Sequence, residues 1–198
     1  MRQSREAKAQ THQEIIEKAS RLFRERGVEG TSVGDVMQAA EKTHGGFYRH
    51  FESKEDLLVA ALESAFADML GSMRKGFATI PRADTLARLT DYYLSPEMIE
   101  DVAGGCPIAA LSGDVMRSSA AVRDVFGKGA GRVIATIAEA IDGPEDVRLR
   151  CAAQTFSMLV GALVIARASD PETAELVVSA VRSAWQADDP GLQPVSQS

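Results

Sequence analysis

The chain has 198 residues, enough to bury a sizeable core, and its 45% hydrophobic and 25% charged content is that of a globular protein. No apolar run is expected to reach the length of a membrane span. The charged start MRQSREAKAQ lacks the apolar core of a signal peptide, so a cytoplasmic protein is expected, with no membrane partner.

Two cysteines far apart, Cys106 and Cys151, make neither a disulfide framework nor a metal-ligand spacing, and the reading expects no metal and no cofactor. The net charge of −6 argues at first sight against nucleic acid, because DNA binding rests on Lys and Arg neutralising phosphates. The distribution answers this. Residues 1–54 hold 10 Lys and Arg against 8 Asp and Glu, a balance of +2, whereas the remainder holds 12 against 20, a balance of −8. All three histidines, His12, His44 and His50, lie in the first part. An acidic body with a mildly basic head suits a protein that touches DNA at one end.

In chain order, residues 1–10 are polar and are expected to be disordered, or to form a basic arm reaching toward DNA. Thr11 with Glu14 reads as a capping box, followed by Ile15, Ile16, Ala19, Leu22 and Phe23 at helical spacing and by Gly27 as a left-handed stop. A second box, Ser32 with Asp35, opens a helix whose inner face is Val33, Val36, Met37 and Ala40. After Glu41 and Lys42, Thr43 reads as the N-cap of a third helix. Phe47 and Phe51, four apart, must face the core there, which turns Gly45, Tyr48 and Arg49 outward, flanked by Gly46 and His44. Two adjacent glycines cost roughly 1 kcal/mol each in helix propensity. What they provide is close approach of the backbone to another surface, which in a helix-turn-helix is the major groove.

The order T-S-V-x-D-V, T-H-G-G-F-Y-x-H-F and S-K-E-D-L-L resembles the DNA-binding head of the tetracycline-repressor (TetR) family, from about Glu14 to Leu62. Members usually carry Gly and an aliphatic residue in the turn where this chain has Glu41 and Lys42. A positive φ at Glu41 would carry strain of about 1 kcal/mol. The resemblance implies that Thr43, His44, Gly45, Gly46 and Arg49 sit at base edges or the adjacent backbone. It also implies that Tyr48, His50, Lys54 and Thr31 hold phosphates, as hydroxyl, imidazole and ammonium groups do.

Ser53 with Asp56 makes a third box and starts a long stripe from Leu57 and Leu58 through Leu62, Phe66 and Leu70 to Met73, broad enough to pack against two neighbours. This helix, from Lys54 to about Lys75, is expected to be the one element that joins head to body and carries an effector's signal. Beyond it, no strand-like alternation occurs. Leu86, Leu89 and Tyr93 suggest a helix broken by Ser95-Pro96, and Pro107 starts another that runs to Met116. Ser118 or Ser119 caps a helix carrying Val122, Phe126, Val133 and Ile137, interrupted at Gly127–Gly131. That stretch lacks the spacing of a phosphate loop and reads as a thinned, closely packing helix. Gly143-Pro144 and Asp170-Pro171 open the last two helices, the final one reaching Trp185, and both are rich in small residues such as Ala152, Ala153, Ser157, Gly161, Ala180 and Ala184. In the family, such helices pair with a second copy's in a four-helix dimer interface.

The expected fold is all-α, of about nine helices. It comprises a three-helix helix-turn-helix head over 1–53, a larger helical ligand-binding and dimerisation body over 54–187 entered by the long helix, and a disordered tail over 188–198. The expected function is a ligand-responsive transcriptional repressor binding a pseudo-palindromic DNA operator as a homodimer through its last two helices, released by a small apolar or aromatic effector. Candidate pocket residues on the long helix are Phe66, Met69, Leu70 and Met73. Elsewhere in the body they are Tyr92, Cys106, Met116, Phe126 and Phe156. Two other readings are a helical enzyme with Cys106 as nucleophile at a helix start, which has no histidine in the body to serve it, and a ligand-binding dimer without DNA binding.

Overall fold

Nine α-helices and two short 3-10 helices, with no strand, make up residues 2–184, which are those that the computed structural model describes. Trp185 and the tail expected over 188–198 lie outside the described residues. Helix α1 spans Arg2–Arg26 and α2 spans Val33–Ala39; a 3-10 helix, His44–Arg49, follows, and then α3, Lys54–Phe77. A second 3-10 turn, Arg82–Asp84, leads to α4 (Thr85–Tyr93), α5 (Pro96–Glu100) and α6 (Pro107–Val115). The chain continues through α7 (Ala120–Ala138), α8 (Glu145–Ala168) and α9 (Pro171–Ser183).

The expectation for residues 1–10 needs correction. Helix α1 begins at Arg2, so Thr11 lies inside it and caps nothing. Apart from Ser4, residues 2–10 consist of Arg, Glu, Ala, Lys and Gln, and all of these lose little side-chain freedom in a helix. Their helicity is continued from the anchored part, where Ile15, Ala19 and Phe23 are buried. The Ser32–Asp35 box forms in full, and Ser53 forms the cap without the reciprocal bond to its own amide. The Ser32 hydroxyl accepts from the Asp35 amide at 3.1 Å while the Asp35 carboxylate accepts from the Ser32 amide at 2.8 Å. Ser53 caps Asp56 at 3.0 Å, and the Asp56 carboxylate reaches back to the Glu52 amide at 3.2 Å.

By packing, the chain forms two compact units. The first holds residues up to Ser72 together with Val102–Val133, and the second holds Met73–Asp101 and the residues from Ile134 on. The head therefore shares its unit with α6 and the first part of α7. Helix α6 packs directly on α1. Arg24, 8% exposed near the end of α1, donates from Nε to the Ala103 carbonyl at 2.6 Å. Gly27 closes α1 at φ +75°, and the next amide, Val28, donates at 3.3 Å to Oδ2 of Asp114 on α6. A carboxylate from α6 thus satisfies a backbone donor at the end of α1.

Helix α7 runs unbroken through its glycines, where an interruption was expected. The reason lies at Gly129, where a Cβ would come within 2.3 Å of the Phe66 ring, which also meets Phe126 edge-on at 5.8 Å. The helix is thinned at one point so that α3 can lay a phenylalanine across it. In the second unit α9 packs along α8, and Tyr93 meets Phe156 edge-on at 6.1 Å. Arg167 of α8 donates to the carbonyls of Met98, Ile99 and Asp101, the shortest at 2.7 Å. Helix α8 is long and apolar enough by composition to cross a membrane, with a mean hydropathy of 1.6 over 18 residues, which corrects the expectation that no run reaches that length.

The Phe66 contact sets a test at paired sites. Gly129→Ala should cost about 1–3 kcal/mol by overpacking, whereas Gly127→Ala, whose Cβ meets nothing, should stabilise by about 0.5–1 kcal/mol. Urea unfolding midpoints measure both. Equal shifts would mean that the ring does not require the glycine.

Candidate nucleic-acid interface

The head carries one short exposed helix on a buried anchor. In the 3-10 helix, Phe47 is 1% exposed and, just beyond it, Phe51 is 3% exposed; their rings stack at 5.6 Å. With i→i+3 bonding a six-residue segment presents its intervening positions to solvent. Thr43, His44, Gly45, Tyr48 and Arg49 are exposed, and Gly46 and His50 are half-buried. Thr43 occupies the N-cap position in extended geometry but its hydroxyl caps nothing, so it stays available. Tyr48 is 69% exposed and is steered by edge contacts to Phe47 at 5.2 Å and His44 at 6.5 Å.

The two glycines are not required by the chain itself. A Cβ on Gly45 would meet nothing within 4 Å, and one on Gly46 would make ordinary contacts at 3.6 Å with Met37 and Thr43. Neither has a positive φ. Their smooth backbone leaves room for a surface outside the protomer.

The turn before this helix closes as a Schellman motif. The Lys42 amide donates to the Met37 carbonyl at 2.8 Å and the Glu41 amide to Gln38 at 3.0 Å, with Glu41 at φ +57°. The expected strain is present, yet the turn forms, and Lys42 pairs with Glu14 of α1 at 3.3 Å. A head disabled by its turn loses its structural ground.

Thr31 is a correction. It is fully buried, and its hydroxyl donates to the carbonyls of Gly27 at 2.9 Å and Leu22 at 3.2 Å, so it ties the end of α1 to the start of α2 rather than offering itself to a phosphate. Lys54 opens α3, half-buried. Desolvation, then the charges of His12, Lys8 and Arg49, hold the His50 imidazole below the usual histidine range. Its Nδ1 is buried without a hydrogen-bond partner among the described residues. Hydrogen bonds from the Ser32 side chain and backbone keep the Asp35 carboxyl below the usual carboxylate range. Its charge is thereby fixed at the start of α2.

The family model described as "Bacterial regulatory proteins, tetR family" matches residues 15–61. The repressor DhaR of Mycobacterium sp. (strain GP1) is 34% identical over 120 residues, 59% of this chain and 58% of DhaR, so the match spans less than two thirds of that relative. An HTH-type transcriptional regulator of Mycobacterium tuberculosis, MT0206, is 32% identical over 171 residues, which cover 77% of this chain and 82% of the other. The chain belongs to the TetR family. A crystal structure of a TetR regulator from Chloroflexus aurantiacus superposes with a TM-score of 0.74 at 25% identity, covering 94% of this chain and 98% of the other.

Within the TetR frame, the pocket candidates divide between the two packing units. Phe66, Met69, Leu70, Cys106, Met116 and Phe126 belong to the first, and Met73, Tyr92 and Phe156 to the second. Met116 at 74% exposure and Tyr92 at 60% are surface residues of the described chain, Met116 at the C-cap just past α6 and Tyr92 on the exposed side of α4. Phe66, Leu70, Met73 and Phe156 are buried, and Met69 and Phe126 half-buried. Cys106 stands at the N-cap of α6 with 3% exposure, which withdraws its sulfur from a substrate and disfavours the enzyme reading. No cluster of metal-binding side chains occurs among the described residues. Sequence reasoning missed Asp114 and Arg24, whose partners lie 86 and 79 positions away. It also missed His12, whose ring stacks on Phe51 at 4.6 Å.

Relief of the turn gives a direct check. Glu41→Gly should raise thermal stability by about 1 kcal/mol, since Gly bears no Cβ penalty at positive φ. A loss of stability on this substitution would show that the Glu41 side chain holds the turn.

Proposed function

We propose that the chain is a ligand-responsive transcriptional repressor of the cytoplasm that binds double-stranded DNA as a homodimer and leaves it when a small apolar or aromatic effector binds. The observation that carries the proposal is the exposed 3-10 helix. Its two glycines answer no need inside the chain, while His44, Tyr48 and Arg49 crowd the same surface. In this reading the functional division falls at 53/54: residues 1–53 read DNA and residues 54–187 bind effector and partner. Thr43, His44, Gly45, Gly46 and Arg49 approach base edges, and Tyr48, His50 and Lys54 hold phosphates.

The dimer is proposed through α8 and α9. Only 39% of the apolar window in α8 is buried, and Val164, Ile165 and Leu176 remain 40%, 44% and 67% exposed. A helix apolar on all sides but covered on one calls for a second copy. Membrane insertion is the poorer account, because Arg167 near the end of α8 is spent on three carbonyls of the same unit. Two heads related by a two-fold axis would read half-sites about 34–36 Å apart.

The signal has more than the expected single route. Besides α3, helix α6 touches the head through Asp114 and Val28, so a displacement of α6 moves the end of α1. A coupling of about 1–3 kcal/mol suffices to change affinity 5- to 150-fold. Asp114→Ala should speed amide hydrogen exchange over residues 27–37 and leave α9 as in the wild type. Unchanged exchange in the head would remove α6 from the route.

Mutation separates the DNA roles. Lys54→Ala should weaken binding equally on operator and random duplex and lower the salt slope by about 1, whereas Arg49→Ala should erode sequence discrimination by about 1–3 kcal/mol. Anisotropy titrations against both duplexes measure this. If neither substitution changed affinity or slope, the exposed helix would not be the reading surface.

A further inference from the structure

Helix α1 extends well ahead of the head's core. From residue 5 on, the first buried side chain is Ile15, so more than two turns of helix ahead of it carry only exposed or half-buried residues. At roughly 100° per residue, Arg5, Lys8 and His12 fall on the same side as Ile15 and Ala19, and Glu6, Glu14 and Glu17 fall on the other. The core-facing stripe therefore continues toward the N-terminus through His12, which still packs on Phe51, to the basic residues Lys8 and Arg5. Arg5 and Lys8 are exposed.

This stripe adjoins the reading helix. The His12 ring stacks on Phe51 at 4.6 Å and on His50 at 5.7 Å. Burial, with the cationic side chains of Lys8 on α1 and Arg49 beside it, holds the His50 imidazole below the usual histidine range. Two cationic side chains beside a half-buried imidazole repel its protonated form, and an anion between them would relieve that repulsion. The buried Nδ1 of His50 has no partner among the described residues to offset this.

We infer that Lys8 and His12 of α1 complete, with Arg49 and His50, a phosphate clamp that extends the DNA interface from the 3-10 helix onto the overhanging turns of α1. The inference rests on the proposed DNA-binding function and assigns α1 a backbone contact beside the groove. The occupant is duplex DNA rather than an isolated anion, because the cluster is continuous with exposed His44, Tyr48 and Arg49. A clamp of this kind positions the reading helix without reading sequence.

Random-sequence duplex of about 30 base pairs is the probe, since phosphate contacts are independent of sequence, titrated between about 50 and 200 mM salt. Lys8→Gln should lower affinity severalfold at the low-salt end and reduce the salt slope by about 1. His12→Gln should lower affinity in the same sense, with unchanged circular dichroism showing the head intact. Lys54→Ala is the reference, because it reports on the DNA-binding reading apart from α1. Wild-type affinity and slope in Lys8→Gln, alongside a loss in Lys54→Ala, would overturn the clamp and keep the function. Failure of the wild type to bind duplex at low salt would overturn both.

Discussion

Phe47 and Phe51 hold in place a segment that cannot hold itself. A six-residue 3-10 helix has few hydrogen bonds of its own, its N-cap hydroxyl contributes none, and two of its residues are glycine. The two rings, stacked and almost fully buried, fix its orientation, and all the other side chains are then free to face outward. The Schellman turn at Glu41, the Ser32–Asp35 box and the buried Thr31 hydroxyl serve this same end, each setting the angle of a neighbouring helix. Energy is spent on position rather than on stability at Glu41, where a side chain is held at positive φ.

That head is not an appendage. Arg24 reaches the Ala103 carbonyl and Asp114 caps the end of α1, so segments about eighty residues apart in sequence share one packing unit with the 3-10 helix His44–Arg49. Gly27 permits this: a Cβ there would stand 3.3 Å from the Asp114 carboxylate, and the positive φ already favours glycine. In the proposed function, these direct ties would carry a movement of α6 to the end of α1 as well as along α3.

The local parts of this arrangement were legible because they depend on residues three or four apart. The Ser32–Asp35 box, the Ser53 cap, the Phe47–Phe51 pair and the Pro-initiated helices are all of this kind, and the first three lie in the motifs that carry the resemblance to the TetR family. Start points without a core signal were not legible: the helix formers of this polar stretch read as a tail, and residues 5–10 are all exposed. Thr31 shows a second limit. A hydroxyl next to a cap suits a phosphate or a buried carbonyl equally well, and only the course of the chain decided for Leu22 and Gly27. Met116 and Tyr92 show a third, since an apolar residue in a helical pattern does not declare which way its helix faces.

The central claim is that paired heads read DNA with the helix His44–Arg49. Selection of bound sequences from a pool of randomised duplexes tests it most directly. The account predicts enrichment of an inverted repeat whose half-site centres lie about 34–36 Å apart, or about one helical turn. Recovery of sequences without two-fold symmetry, or no enrichment above the starting pool, would contradict it.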